Sequence, residues 1–410
     1  MNTLIAAEGR YPDFAGGAET LIHHVAHELV ARGHEVHTLT RKPRRGLPAY
    51  EFEAGDHVHR YAGPPAGSRL HWLFPATSFW GARSGWISLS RQVETSAIVF
   101  NQPFPTLGVL SAGPARSNRK VYIFHSASHL EMRSALRKNG TFSAAGLALP
   151  MLCVSLAERC ALRKCDAIVT LSRYMRGRVV RFHSESPDRV TVIPGGVDGE
   201  LFSPLRNPDA RGPLRERFDV PRSAFVIFAA KRLYSAMGLE NLIRAVRLLD
   251  DRHLRLLLAG DGPLREKLQR MASLEGVEDR VQFLGNVPYE QMPLYYRMAD
   301  LFVSTHPEAF GLATLEALAC GVPVMSVPGG AAPEILEGLC GNLLFKHASP
   351  EAMAGHIQRY REAPAEFDDV RKRCRGYVLT NYSWKLFALS LESLLRPRPD
   401  GAAARIGPRI

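Results

Sequence analysis

Apolar positions fall in short blocks separated by longer stretches with helical spacing. In the first half, blocks at residues 3–7, 35–40, 97–100, 121–125, 167–171 and 190–193 predict strands. Between the first two, Leu21, Ile22, Val25, Ala26, Leu29 and Val30 recur at helical spacing over 19–32, and Gly33 supplies the helix end. The second half repeats the logic. Strands are predicted at 225–230, 255–259, 281–284, 300–304 and 323–327, with helices such as 239–249 and 263–272 between them. Strict alternation of strand and helix predicts an α/β fold with parallel sheets covered on both faces.

A chain of 410 residues exceeds one compact core, so two domains of roughly 200 residues are expected. The break falls where Ile193-Pro194-Gly195-Gly196-Val197-Asp198 leads into Phe202-Ser203-Pro204 and a polar stretch up to Pro213. The predicted division is 1–204, then 205–380, a closing segment 381–397 and a frayed tail 398–410. Two Rossmann-like domains joined in this way would face each other across a cleft, and ligands of open α/β sheets bind at the carboxyl edge of the strands.

Composition narrows the class. Hydrophobic content of 46% and charged content of 22% are those of a globular protein. The six cysteines (153, 160, 165, 320, 340 and 374) show no C-x2-C spacing, and no secretory leader precedes the first strand, so reduced thiols in the cytoplasm are expected. The longest apolar run, 144–157, is too short to span a bilayer, which needs roughly 20 residues. The net charge of +12, mostly from the first half, suits nucleic acid, anionic lipid or phosphorylated substrates, and equally a compositional habit of the source genome. Of these, a nucleic-acid partner is not expected, given the motifs below.

Candidate chemistry clusters at predicted strand ends. Gly16-Gly17-Ala18-Glu19 precedes the first helix, where glycines admit close backbone approach and free amides suit phosphate. His125 closes the fourth strand, a position equally typical of a packed or surface histidine. Lys231-Arg232 ends a strand of the second half, and Arg232 can bind phosphate through two donors. Gly260-Asp261-Gly262-Pro263 turns the next strand into a helix, and Gly285-Asn286-Val287 offers backbone groups to a base. The segment Glu308-Ala309-Phe310-Gly311-Leu312-Ala313-Thr314-Leu315-Glu316 opens a helix at Gly311. Amides of Gly311, Leu312 and Ala313 would face a phosphate, and Glu316, one turn in, could accept hydrogen bonds from vicinal ribose hydroxyls. Residues 69–86 gather Trp72, Phe74, Phe79, Trp80 and Trp86 with Arg69 and Arg83, which fits a sugar-stacking surface, a membrane-facing surface or a satellite core. No H-E-x-x-H and no D-x-D after a strand is present.

Taken in order, these motifs resemble glycosyltransferase family 4, a retaining family of GT-B architecture. The resemblance rests on Gly16-Gly17-Ala18-Glu19, Val192 to Asp198, Ala259-Gly260-Asp261-Gly262-Pro263, the Glu308-x7-Glu316 pair with Ala319-Cys320-Gly321-Val322-Pro323-Val324, Gly329-Gly330 with Pro333-Glu334, and Tyr382-Ser383-Trp384. It implies a nucleotide-sugar donor, UDP-sugar by preference, and a glycan, lipid-linked or small-molecule acceptor. It further implies transfer with retention and no metal or other cofactor. Cysteine usage, the basic first half and the aromatic cluster predict a cytoplasmic enzyme that can touch the inner face of an anionic membrane. By resemblance Glu316 holds the donor ribose. Glu308 and Phe310 belong to the segment at the transferred sugar, and Gly17, Gly311 and Arg232 hold the diphosphate. His125 matches the family's active-site histidine, and 381–397 matches its closing helix, which crosses back to the first domain.

One departure stands out. The family pattern Arg-Leu-x-x-x-Lys-Gly reads Arg232-Leu233-Tyr234-Ser235-Ala236-Met237-Gly238 here. Methionine carries no charge, so Lys231 is expected to compensate; heavier reliance on helix amides, or lost activity, are the alternatives. Rival classes are a nucleotide-sugar epimerase or hydrolase and a non-catalytic sugar-nucleotide-binding subunit.

Overall fold

A computed structural model describes residues 1–14, 16–43, 46–64, 73–113, 118–128, 148–234 and 238–396. Arg69, Trp72, Met237 and the expected tail 398–410 lie outside them. The chain forms two compact units. One takes Met1–Gly195 together with the C-terminal segment from Trp384, and the other takes Gly196–Ser383.

The first unit holds an eight-stranded sheet: β1 (Asn2–Ala6), β2 (Glu35–Arg41), β3 (Tyr50–Glu53), β4 (Asp56–Tyr61), β5 (Ala97–Phe100), β6 (Arg119–Phe124), β7 (Ala167–Thr170) and β8 (Val190–Val192). Their order is β3-β4-β2-β1-β5-β6-β7-β8. Every pairing is parallel except β3 with β4. The central strands are buried on both faces, which is why they read as continuous apolar runs. The hairpin β3–β4 was not among the predicted strands. Its alternate positions carry His57, His59, Glu51 and Glu53, so no apolar run marks it. Ala54 and Gly55 both adopt positive φ (50° and 88°) between the paired Glu53 and Asp56, the geometry of a two-residue primed turn.

Helix Gly17–Ala31 buries Leu21, Ile22, Val25, Ala26 and Leu29, and Gly33 follows it at φ 82°. Helix Trp384–Leu395 packs against it within the same unit. Trp384 stacks on His24 with centroids 5.0 Å apart, and the Arg32 guanidinium engages the Glu392 carboxylate through two nitrogens. The Arg396 and Arg32 hydrogen bonds hold the Glu392 carboxyl well below its usual range, at about 2. Arg10 is buried with Glu53 at 2.5 Å and Asp56 at 3.7 Å. Burial pushes the Asp56 carboxyl up to about 6, against the pull of Arg10 and of the Thr38 hydroxyl.

The second unit holds five parallel strands: β9 (Phe225–Ala230), β10 (Leu254–Ala259), β11 (Val281–Gly285), β12 (Leu301–Ser304) and β13 (Val324–Ser326), in the order β11-β10-β9-β12-β13. The order reverses between β9 and β12, a topological switch point at which loops diverge and a crevice opens. Segment 197–204 is tied to this unit. Phe202 is fully buried against Tyr289 and Tyr296, and Arg297 and Arg375 donate to the Ser203, Phe202 and Gly199 carbonyls. Among the described residues no helix is long and apolar enough to cross a membrane.

Candidate functional site

In the second unit the switch point puts two chain segments side by side. Lys231 and Arg232 leave β9, and residues 305–311 leave β12. The Lys231 ammonium, 9% exposed, is ion-paired with Glu308 Oε1, and Ser304 Oγ lies 3.3 Å from the same oxygen. Arg232 is exposed, with its guanidinium 5.8 Å from the Tyr234 ring. The two basic residues therefore have different environments, one with its side chain largely covered and paired with a carboxylate, the other open to solvent.

Glu308 sits in a backbone cradle built by glycine. Gly330, at φ 66°, lies against it so closely that a Cβ there would come within 2.4 Å of the Glu308 carbonyl oxygen and 2.5 Å of its nitrogen. Ala331 N–H donates to that carbonyl at 2.9 Å. Gly311, at φ 90° and ψ 52°, starts helix Leu312–Ala319 from a left-handed conformation that side chains disfavour. The other Glu308 oxygen lies 3.1 Å from where a Cβ on Gly311 would stand, so the carboxylate is turned over the helix start. Phe310 is buried, whereas Leu312 and Ala313 are half-buried at the first turn.

Glu316 is buried in the same helix. Its Oε2 accepts from the Tyr296 hydroxyl at 2.8 Å, and the Tyr289 hydroxyl also bonds to it. Burial pushes its carboxyl up to about 7, opposed by the Tyr296 hydrogen bond, aided by the Glu308 charge and opposed again by Tyr289. Both phenols are pushed up, chiefly by burial. The two tyrosines were missed as site residues. They stand seven apart, so a helical-face reading of 289–296 groups them, but nothing local points that face at Glu316. His306 was missed too. Burial, then the Lys231 charge, holds its imidazole below the usual range, against the pull of Glu308.

The turn after β10 explains its glycines. Gly260 (φ 127°) and Gly262 (φ 156°) abut the backbone of the segment after β9, and a Cβ would come 1.9 Å from the Lys231 carbonyl oxygen or 2.5 Å from that of Leu233. Leu233 N–H donates to the Asp261 carbonyl at 3.0 Å. Asn286 is exposed and Val287 half-buried, just beyond β11 at the sheet edge. Gly238 opens helix Leu239–Leu249 at φ 71° with the Thr305 carbonyl against it. Met237 itself lies outside the described residues.

In the first unit, Gly16 caps helix Gly17–Ala31 in extended backbone, and a Cβ on it would come 2.3 Å from a Glu19 carboxylate oxygen. The expected phosphate-facing helix start therefore carries its own carboxylate. Glu8 N–H donates to Gln102 Oε1 at 2.8 Å, joining the loops after β1 and β5 at this unit's own switch point. Strand β6 ends at Phe124, so His125 lies one residue beyond it, its Nδ1 3.1 Å from Ser126 Oγ. Three residues on, the Ser128 hydroxyl donates at 2.6 Å to buried Glu158, which lies 3.1 Å from His183 Nε2. The aromatic cluster divides: Trp86 is core, Trp80 is 64% exposed, and Phe74 packs edge-on against Phe104.

Parallel sheets in both units, with a glycine-opened helix bearing a buried glutamate at the second unit's switch point, are features of nucleotide-sugar transferases. Family models agree along the chain: "Glycosyltransferase Family 4" matches residues 15–201 and "Glycosyl transferases group 1" matches 211–379. The chain belongs to the group 1, family 4 glycosyltransferases and is a glycosyltransferase of the GT-B fold. It is 33% identical over 261 residues to the GDP-mannose-dependent alpha-(1-6)-phosphatidylinositol monomannoside mannosyltransferase of Mycolicibacterium smegmatis, covering 60% of this chain and 67% of that one. It is 29% identical over 367 residues to the D-inositol 3-phosphate glycosyltransferase of Thermomonospora curvata, covering 85% and 83%. Among solved structures it is similar to sucrose-phosphate synthase from Thermosynechococcus elongatus (TM-score 0.77, 21% identity, 96% and 97% coverage). Anabaena HepE in complex with UDP-glucose gives a TM-score of 0.72 at 20% identity, with 96% and 99% coverage.

Proposed function

We propose that this glycosyltransferase moves a sugar from a nucleoside diphosphate donor to an acceptor hydroxyl with retention at the anomeric carbon. The observation that carries the reading is the Glu308–Gly311–Glu316 segment, held by Lys231, Gly330 and Tyr296 at the switch point. In the reaction, the bond from the anomeric carbon to the diphosphate oxygen breaks and a bond to the acceptor oxygen forms on the same face. The acceptor proton passes to the departing diphosphate. Arg232 and the amides of Gly311, Leu312 and Ala313 stabilise the charge that grows on the leaving group, and each such donor contributes on the order of 100-fold in rate. Glu316 holds the ribose hydroxyls and Glu308 the transferred sugar. His125 contacts the sugar or acceptor, an assignment that comes from the resemblance alone.

The donor base is open to direct test. The family resemblance leads to an expected UDP-sugar, whereas the relative from Mycolicibacterium smegmatis is named for GDP-mannose, which favours a guanosine donor. A thermal-shift panel of nucleoside diphosphates and their sugars decides, because a ligand at 100 times its Kd stabilises by about 2.7 kcal/mol. No shift with any nucleotide overturns the donor site. Anomeric assignment of the product by NMR tests retention, and inversion overturns it.

For the acceptor we propose a lipid-linked or small polyol hydroxyl, used where the enzyme contacts an anionic membrane from the cytoplasmic side. In support, helix Ala148–Lys164 exposes Leu149, Leu152 and Leu156 along one face and ends in Arg163 and Lys164. Co-sedimentation with anionic vesicles, lost at high salt, is the expected result; absence of binding removes the membrane contact.

A further inference from the structure

The parallel register of β2 with β4 sets His37 opposite His57, and the antiparallel register of β3 sets Phe52 opposite His57 and Tyr50 opposite His59. Strand alternation puts Glu35, two residues before His37, on the same face. The result is a cluster of imidazoles and one carboxylate near the sheet edge, shared between β2 and the β3–β4 hairpin and using none of the residues of the proposed donor site. Glu35 Oε1 lies 3.2 Å from His37 Nε2, and one ligand atom from each of Glu35, His37 and His57 lies within 4.8 Å of the others. Zinc bonds to nitrogen and oxygen run about 2.0–2.2 Å. Two ligands on one tetrahedral ion therefore stand a little over 3 Å apart, the spacing Glu35 and His37 already have.

Two further contacts have the character of an outer shell. His37 Nδ1 lies 3.2 Å from His59 Nε2, and His57 Nδ1 lies 2.9 Å from the Tyr50 hydroxyl. Metal-binding histidines are oriented in this manner by a partner on the ring's other nitrogen. The His37 side chain is 4% exposed and that of Glu35 is 48% exposed, so the cluster is rooted in the sheet and open to solvent on one side.

We propose that Glu35, His37 and His57 form a binding site for a divalent transition ion such as Zn2+ or Co2+, which clips the β3–β4 hairpin to β2. Two imidazoles and a carboxylate select such ions over Mg2+ and Ca2+, which prefer oxygen ligands. Three protein ligands leave one position for water.

The test uses the full chain stripped of metal and titrated with Co2+, reading the visible d–d absorption of a low-symmetry site. The expected result is one equivalent with visible bands, displaced by Zn2+, absent in His57→Ala and in Glu35→Gln, and weakened about tenfold in Tyr50→Phe. Circular dichroism of the metal-free variants checks folding; His57 and Glu35 are solvent-accessible, so these variants decide the outcome if His37→Ala does not fold. Absence of visible bands in the wild type, or equal Co2+ uptake and spectrum in the His57→Ala, Glu35→Gln double variant, overturns the site. Sugar transfer is not the readout, so failure here leaves the donor site untouched.

Discussion

Lys231 and Glu308, which leave the neighbouring strands β9 and β12, are ion-paired at the second unit's switch point. The pair places a cation where the carboxylate would otherwise stand alone beside the start of helix Leu312–Ala319. In the proposed donor site, a diphosphate at that helix start would meet a neutralised pair rather than a bare anion. On that proposal Lys231 would compensate for the lysine of the family pattern, which reads Met237 here, without touching phosphate itself.

Lys231→Ala leaves the Glu308 carboxylate uncompensated beside the helix start and is expected to lower kcat/KM by on the order of 100-fold, about 2.7 kcal/mol of lost electrostatic compensation. A cycle with Glu308→Gln should be non-additive, with coupling of about 0.5–3 kcal/mol, because the residues touch. Turnover unchanged by Lys231→Ala would show that the lysine does not compensate for Met237.

Gly330→Ala is expected to displace Glu308. A Cβ there overlaps the Glu308 backbone, and the residue would be held at positive φ, a strain of about 1–3 kcal/mol. Donor turnover should fall with a lower Tm, whereas Gly355→Ala, in an exposed helix interior where a Cβ meets nothing, should leave turnover unchanged and raise Tm slightly, by about 0.5–1 kcal/mol of stability. Equal activity of the two variants contradicts the cradle.

Glu316 carries a pH signature. Its folded carboxyl, pushed by burial to about 7, sits above its unfolded value near 4.5. The unfolded chain loses that proton first, so the residue costs nothing below pH 4.5, an increasing amount up to about pH 7, and a constant amount above. Glu316→Gln removes the cost. The variant should gain up to about 3 kcal/mol over wild type at pH 8 and much less at pH 5, while losing donor affinity at both. Chemical denaturation at the two pH values checks the first point and the thermal-shift panel the second.

Arg10→Met tests the first unit. Removing the buried guanidinium leaves buried Asp56 uncompensated and is expected to cost about 3–5 kcal/mol at neutral pH, while the half-exposed Glu53 is screened by solvent and adds little. The loss should shrink below pH 6, where Asp56 takes up a proton. A denaturation midpoint equal to wild type at pH 7.5 would remove Arg10 from the stability of this unit.

Much of this was legible from the chain because buried parallel strands advertise themselves as apolar runs. Strand β5 and helix Leu239–Leu249 begin and end at the predicted residues. Hairpin β3–β4 was not legible, since its stability comes from polar cross-strand pairs and a turn made with Ala54 rather than asparagine. At the site, Gly311 and Glu316 stood out because a helix start and its first turn are local in sequence. Tyr289, Tyr296 and the Lys231–Glu308 pair did not, since they meet only when strands far apart in sequence become neighbours.

The return of the last helix to the first unit has a consequence for biosynthesis. Val197 N–H donates to the Tyr382 carbonyl at 3.2 Å, so the second unit begins and ends at one point and is an insertion into the first. On the ribosome, residues 1–195 emerge first but lack the partner for Arg32 and His24 until helix Trp384–Leu395 is made. The second unit is complete earlier, and the half that is translated first is the last to close.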